Sequence, residues 1–273
     1  MPDLYIVATP IGNLADVSIR ALDTLGKVDF ILAEDTRTTK KLLNHYGIKK
    51  PLVSFNEHNQ TTRIPLVIDA LMTGDVALVS DAGVPTISDP GQRLIAETHS
   101  LGIRVIPIPG PTALATALSA SGFDGNSFLF LGFLPRKKGE RHRLLDSLGY
   151  YHQTIIIFES PHRLLRTLNE LTLFWGNRTV SVCRELTKLY EEIYRGSLLE
   201  AKSHFTNPRG EFTLVIEGNS ANKETWSTVE VKSELSKLKT LGYRAKESIE
   251  LLANLSGHSK RFIYEIWLSN HAD

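Results

Sequence analysis

VALVSDAGVPTISDPG, residues 76–91, is the stretch whose reading decides the fold. Its first four residues are apolar, with β-branched valines at both ends, the pattern of a buried strand, and they empty into Ser80-Asp81-Ala82-Gly83, Pro85 and an Asp89-Pro90-Gly91 turn. Neither helix nor strand can continue through that sequence. Small residues at a strand end leave the backbone bare, so a ligand can lie directly on peptide N–H and C=O groups. In an open α/β sheet, ligands bind beyond the carboxyl ends of the strands. A tight turn with no ligand accounts for this one stretch equally well, and the rest of the chain has to decide.

Residues 4–9 form a second such strand, leaving through Pro10-Ile11-Gly12-Asn13-Leu14, and residues 104–108 form a third, leaving through Pro109-Gly110-Pro111-Thr112-Ala113. Three Gly- or Pro-rich exits predict three strand ends on one edge of one sheet. Between them, helical and strand patterns alternate. Ser18 is placed to cap a helix that stops at Gly26, residues 29–33 read as a strand ending in Glu34-Asp35-Thr36-Arg37, and a helix runs to about Tyr46. A strand near 52–55, an Asn56-Glu57-His58-Asn59 loop, a helix to Met72 and helices over 92–100 and 113–121 complete this half. The alternation predicts a mostly parallel sheet covered on both faces.

A second lobe starts near Ser127. An apolar strand over 128–134 changes abruptly into Pro135-Arg136-Lys137-Lys138-Gly139-Glu140-Arg141-His142-Arg143, which reads as a basic loop. Strands are expected at 154–158, 179–183, 191–194 and 211–217, with a helix after Pro161, and Glu192-Ile193-Tyr194-Arg195-Gly196 reads as the turn of an antiparallel hairpin in a mixed sheet. The expected division is an N-terminal α/β lobe (1–122), a C-terminal α/β lobe (123–218), a linker (219–228) and a small helical domain (229–273) of three short helices. Leu235, Leu238, Leu241, Leu251, Leu252 and Leu255 supply the apolar positions of that tail, and Gly257 and Ser259 break it into something like a helix-turn-helix.

With 273 residues, 42% hydrophobic and 22% charged, the chain has the composition of a globular enzyme with a sizeable core. Its start lacks a basic segment before the first strand, and no apolar run reaches membrane-spanning length, so no signal peptide is expected and a reducing cytoplasm fits. The single Cys183 excludes an internal disulfide framework and a cysteine zinc cluster, and the scattered histidines lack ligand spacing, so no metal is expected. A net charge of +1 gives no global attraction to nucleic acid, and a polyanion would have to be held by a local patch. G-x-G-x-x-G, the P-loop and the G-x-S-x-G elbow are absent, which argues against a dinucleotide cradle, a nucleotide-phosphate cradle and a serine hydrolase.

TPIGNLADVSIRALDTL, AEDTRTTKKLL, SDAGVPTISDPG, PGPTALATALSASG and FESPHRLLRTL, in this order and spacing, resemble the ribosomal RNA small subunit methyltransferase I family, whose members have the tetrapyrrole methylase fold. The resemblance covers about residues 4–218, and the family also carries a small helical tail. It implies S-adenosylmethionine as methyl donor, 2′-O-methylation of a cytidine in 16S rRNA of the small subunit, two α/β lobes with the donor in the cleft between them, and a homodimer. By motif position it implies donor contacts from Ile11, Gly12, Ser80, Asp81, Ala82, Gly83, Thr112 and Ala113, closed from the second lobe by Glu159, Ser160 and Glu185. Such Gly, Ala, Ser and Pro turns suit a donor that carries no phosphate and wants no cation against its sulfonium. Asp81 is also an ordinary turn former.

An acid and a base packed at a strand end make Asp35 a candidate general base or orienter, with Arg37 as a phosphate clamp; Glu57 and His58 are further base candidates. The same residues fit a plain helix start with an acidic cap. Arg136, Lys137, Lys138, Arg141 and Arg143 are the expected RNA contacts, against the alternative of a solvated basic loop, and the tail is either a second RNA contact or a packing appendage. Competing readings are a methyltransferase of the same fold acting on a tetrapyrrole or a protein residue, and a non-catalytic ribosome-assembly factor.

Overall fold

The computed structural model of the chain describes residues 2–219, 226–240, 242–256 and 258–269. Its first sheet is built from β1 (Asp3–Val7), β2 (Phe30–Ala33), β3 (Leu52–Ser54), β4 (Val76–Val79) and β5 (Arg104–Ile108), in the spatial order β3-β2-β4-β1-β5. Every pairing is parallel. Parallel strands need crossovers, which are supplied by α1 (Ile19–Lys27), α2 (Thr36–His45), α3 (Gln60–Leu71) and α4 (Gln92–Ser100). The central strand shows why the sheet is buried on both sides. Val76 and Leu78 point into one apolar cluster with Leu4, Ile6 and Leu32, while Ala77 and Val79 point into another with Val7, Ile31 and Ala33.

Helix α5 (Ala113–Ser121) follows β5 and ends where Gly122 takes a left-handed φ of 71°. It leads into a mixed sheet of β6 (Phe128–Phe133), β7 (Thr154–Glu159), β8 (Thr179–Arg184), β9 (Glu192–Ser197) and β10 (Phe212–Ile216), ordered β6-β7-β10-β8-β9. Strands β6 and β7 pair in parallel, and the other pairings are antiparallel. Helices α6 (Lys138–Ser147), α7 (Pro161–Trp175) and α8 (Leu198–His204) accompany this sheet. Pro161 starts α7 at a position where a missing N–H is harmless. The lobes share a core, because Ala117 of α5 and Ile11 pack with Ile156, Cys183, Leu186 and Val215 on one face of the second sheet. The single cysteine is therefore a buried apolar side chain.

Two local expectations are corrected. Residues 192–196 are not the hairpin turn but strand β9 itself, paired with β8 from Arg184↔Glu192 to Thr179↔Ser197, and the turn lies at 185–191. Gly196 misleads because it is a strand glycine: a Cβ there would lie 2.5 Å from the Tyr194 hydroxyl. The basic run is a loop only to Lys137 and is helical from Lys138 onward.

Residues 1–218 form one unit and 219–273 a second. In the second, α9 (Thr228–Thr240), α10 (Ala245–Ser256) and α11 (Lys260–Ser269) bury Val231, Leu235, Leu238, Leu252, Ile263 and Ile266 together. Residues 220–225 of the expected linker, Leu241, Gly257 and the side chain of Leu255 lie outside the described residues.

Candidate functional site

Strands β4, β1 and β5 are neighbours and parallel, so their small-residue exits meet on one edge of the first sheet. The exits are also bonded to one another. Thr9 N donates to Gly83 O at 2.8 Å, Gly83 N returns a bond to Thr9 O at 3.0 Å, and the Thr9 hydroxyl donates to Ser80 O at 3.1 Å. Gly83 has φ +82°, a conformation that favours glycine. Beyond it the chain winds tightly, with Thr86 and Ser88 at φ +74° and +73° and Gly91 at +131°. Positive φ at a side-chain-bearing residue costs on the order of 1–3 kcal/mol, and such strain persists where the surrounding structure holds it, commonly at functional sites.

These loops form one wall of a cavity of about 440 Å³. That wall includes Ile11, Asp81, Ala82, Gly83, Thr112 and Ala113. The second lobe supplies Glu159, Ser160, Leu186, Thr213 and two aromatic rings, Phe133 and Phe158, while the ring of Phe212 packs into the apolar core against Phe205. Among the described residues no Lys, Arg or His lines the cavity, whereas Glu34, Asp81, Asp89, Glu159 and Glu211 do.

Two of those carboxylates are committed elsewhere. Glu159 accepts from Ser160 N at 2.8 Å and from the Thr167 hydroxyl at 2.6 Å, with Arg163 Nε at 3.3 Å, and it fixes the start of α7 against the sheet. Glu211 pairs with Lys188 at 2.7 Å. Glu34, Asp81 and Asp89 form no ion pair among the described residues. Burial raises the Glu34 carboxyl above its ordinary value; the Asp81 N–H, 3.4 Å from Oε2, opposes this, and the charges of Asp81, Asp35 and Glu57 add to it. Burial also raises Asp81, although its Oδ1 accepts from Asp35 N at 3.0 Å. The largest effect is on Asp89, which burial and the Glu34 charge push up to about 7, with the Ser80 hydroxyl opposing and Asp81 adding.

Of the residues singled out from the sequence, Ile11, Asp81, Ala82, Gly83, Thr112, Ala113, Glu159 and Ser160 come together on the cavity wall. Ser80 is buried behind that wall, its hydroxyl 3.4 Å from Ala82 O. Gly12 lies where the lobes touch: a Cβ there would lie 2.4 Å from Lys188 Cγ and 2.7 Å from Thr187 Oγ1. Glu185 is turned to Lys188 Nζ at 2.9 Å and Glu211 N at 2.8 Å, and it does not line the cavity. Glu57 and His58 do not line it either.

Asp35 caps α2, accepting from Arg37 N at 2.8 Å, and grips the Arg37 guanidinium at 2.6 Å. These bonds to Arg37 lower its carboxyl to about 2. A carboxylate so poor in proton affinity is an orienting group rather than a base. Sequence reasoning missed Glu34, Asp89, Phe133 and Phe158. Asp89 was hidden in an Asp-Pro-Gly turn, and each phenylalanine looks like ordinary core in its own strand.

The basic run divides. Arg136, Lys137, Lys138 and Arg143 are exposed. Arg141 is 2% exposed, a correction to its expected RNA contact. Its guanidinium meets Glu170 at 2.6 and 2.8 Å and the carbonyls of Pro135 and Arg136 at 2.9 Å. It thus uses its charge to fold the turn back onto α7. The exposed cations begin three residues after Phe133, so the basic turn leaves directly from the cavity wall.

Residues 3–202 match the family of tetrapyrrole (corrin/porphyrin) methylases. A ribosomal RNA small subunit methyltransferase I from Halalkalibacterium halodurans is 50% identical, over 97% of this chain and 94% of the relative. One from Thermotoga maritima is 54% identical, over 80% of this chain and 99% of the relative. Among solved structures, a uroporphyrin III C-methyltransferase from Thermus thermophilus is 17% identical with a TM-score of 0.58, covering 79% of this chain and 97% of that one. A cobalt precorrin-4 methyltransferase, 18% identical, has a TM-score of 0.59 and covers 79% and 94%. At those identities the structural likeness shows the fold alone.

Proposed function

Since the chain belongs to the tetrapyrrole methylase family, and within it to the ribosomal RNA small subunit methyltransferases I, we propose that it methylates small-subunit ribosomal RNA from S-adenosylmethionine, at the 2′-hydroxyl of a cytidine in 16S rRNA. The observation that carries this reading is a cavity lined, among the described residues, by carboxylates and aromatic rings and by no cation, from whose wall an exposed basic turn departs. The donor set fits the cofactor: the backbone of Ala82, Thr112 and Ala113 lines the cavity beside the bonded Gly83, the rings of Phe133 and Phe158 suit a planar ring, and the acids suit a positive sulfur. When bound, the cofactor supplies a methyl group on a cationic sulfur.

The work of the chain's own residues is then positional. In-line transfer needs oxygen, carbon and sulfur held collinear, and such positioning is worth about 7–11 kcal/mol. Asp81 ties the cavity wall to Asp35, and Asp35 in turn aims Arg37 outward, 87% exposed, where it can take an RNA phosphate. Arg136, Lys137, Lys138 and Arg143 hold further phosphates beside the cavity without reading sequence. Ser80 acts behind the wall, held among Thr9, Ala82 and Asp89, and Gly12 and Glu185 act at the joint between the lobes. In the same reading the protein acts in the cytoplasm as a homodimer, and the lobe of residues 1–122, the lobe of 123–218 and, after the linker of 219–228, the helical tail of 229–273 are its domains. The acceptor proposal is tested by offering labelled S-adenosylmethionine with small ribosomal subunits and naked 16S rRNA in parallel. Label in either supports it; a cofactor that binds without transfer to either would favour the assembly-factor reading.

A further inference from the structure

Asp89 has no part in that positioning scheme, although it is the carboxylate least suited to its place. It stands on the wound stretch between Gly83 and Gly91, directly after the positive-φ residue Ser88, and it lines the cavity. The stretch has little freedom to move it. A Cβ at Gly91 would lie 2.6 Å from Leu78 Cδ2, so the chain returns hard against β4. The groups that face Asp89 are Glu34 at the end of β2 and Ser80 and Asp81 at the end of β4. From the opposite wall, Glu159 is committed to Ser160, Thr167 and Arg163, and Glu211 to Lys188. Among the described residues, Asp89 thus has acids for charged neighbours and no cation to pair with.

We propose that Asp89 is the proton-linked counter-charge of the cavity: it gives up a proton when a positively charged donor binds, and the carboxylate so formed receives the proton of the acceptor hydroxyl during transfer. The proposal rests on the reading of the cavity as the S-adenosylmethionine site. The balance closes. As the acceptor oxygen forms its bond to the methyl carbon, the carbon–sulfur bond breaks, its electron pair stays on sulfur, which becomes neutral, and the hydroxyl proton passes to Asp89. Asp89 therefore keeps the charge of the cavity constant: a cation enters as a proton leaves, and a proton arrives as the cation is discharged. With its carboxyl lifted to about 7 in the free protein, Asp89 is largely protonated at pH 6 and largely ionised at pH 8.

The test is calorimetric and does not depend on turnover. S-adenosylmethionine and S-adenosylhomocysteine, which differ at sulfur by one methyl group and one positive charge, are each titrated into the full-length protein in buffers of different ionisation enthalpy, at pH 6 and pH 8. The expected result at pH 6 is release of close to one proton with the first ligand and not with the second. The affinity for S-adenosylmethionine should also rise about tenfold from pH 6 to pH 8. Asp89→Asn should remove both effects while S-adenosylhomocysteine still binds. The wild-type comparison of the two ligands reads the same linkage without any variant. Equal proton release with both ligands, or an unchanged release in Asp89→Asn, would overturn the assignment of Asp89 alone. If neither ligand binds, the reading of the cavity itself fails.

Discussion

The backbone N–H of Asp35 donates to Oδ1 of Asp81 at 3.0 Å, which fastens the end of β2 to the cavity wall at the end of β4. The carboxylate of Asp35 faces the other way, onto Arg37. One residue is thereby held by the wall through its backbone and holds an exposed guanidinium through its side chain.

If that bond positions the wall, Asp81→Ala leaves the Asp35 N–H without its partner and removes one acid from the cavity. Cofactor affinity is expected to fall about tenfold or more, which corresponds to roughly 1.4 kcal/mol or more. Asp81→Asn keeps an acceptor for the N–H and should lose less. Calorimetric titration of the two variants checks the order.

Arg37 lowers the Asp35 carboxyl to about 2. The stabilisation linked to that lowering is complete above the ordinary aspartate range and is lost only as the pH falls through about 2. Between pH 5 and 9, Asp35 should therefore contribute no step to stability or to rate. Asp35→Asn is expected to leave the shape of the pH–rate profile unchanged, whereas Asp89→Asn is expected to alter it near pH 7; a profile displaced by Asp35→Asn would contradict the orienting role.

Arg141→Met takes the guanidinium from the Glu170 carboxylate, whose side chain is only 10% exposed, and leaves it the His142 Nε2 at 3.4 Å. Removing one partner of a buried ion pair destabilises by about 3–5 kcal/mol, while replacing both partners by apolar groups of similar size is often close to neutral. Thermal melts should show a large drop for the single variant and substantial recovery in Arg141→Met/Glu170→Leu.

Charge reversal in the exposed part of the basic run should behave differently. Lys137→Glu/Lys138→Glu is expected to leave the melting temperature and cofactor affinity unchanged. It should weaken RNA binding and flatten its dependence on salt by about one unit of log–log slope for each phosphate that is no longer neutralised. Filter binding across a salt series measures both.

The sequence makes the sheet edge legible because the reading rests on backbone chemistry: glycines, prolines and other small residues punctuate the exits of β4, β1 and β5, and parallel pairing puts their ends together. What it hides depends on distance along the chain. Arg141 looks like its solvated neighbours until α7 brings Glu170, 29 residues away, against it. Phe133 and Phe158 form one wall only after β6 and β7 pair. Gly196 reads as a turn glycine because nothing local says that the Tyr194 ring lies over it. Asp89 reads as turn chemistry, and its unusual proton affinity arises from burial in the folded cavity wall, with Glu34 and Asp81 on two strand ends adding to it.

The measurement that bears most directly on the account is nucleoside analysis of small-subunit rRNA after incubation with the protein and methyl-labelled S-adenosylmethionine. The account predicts that the label is recovered in 2′-O-methylcytidine, at one position. Label recovered on a base, on another nucleoside, or only in protein or a tetrapyrrole offered as competitor would contradict it.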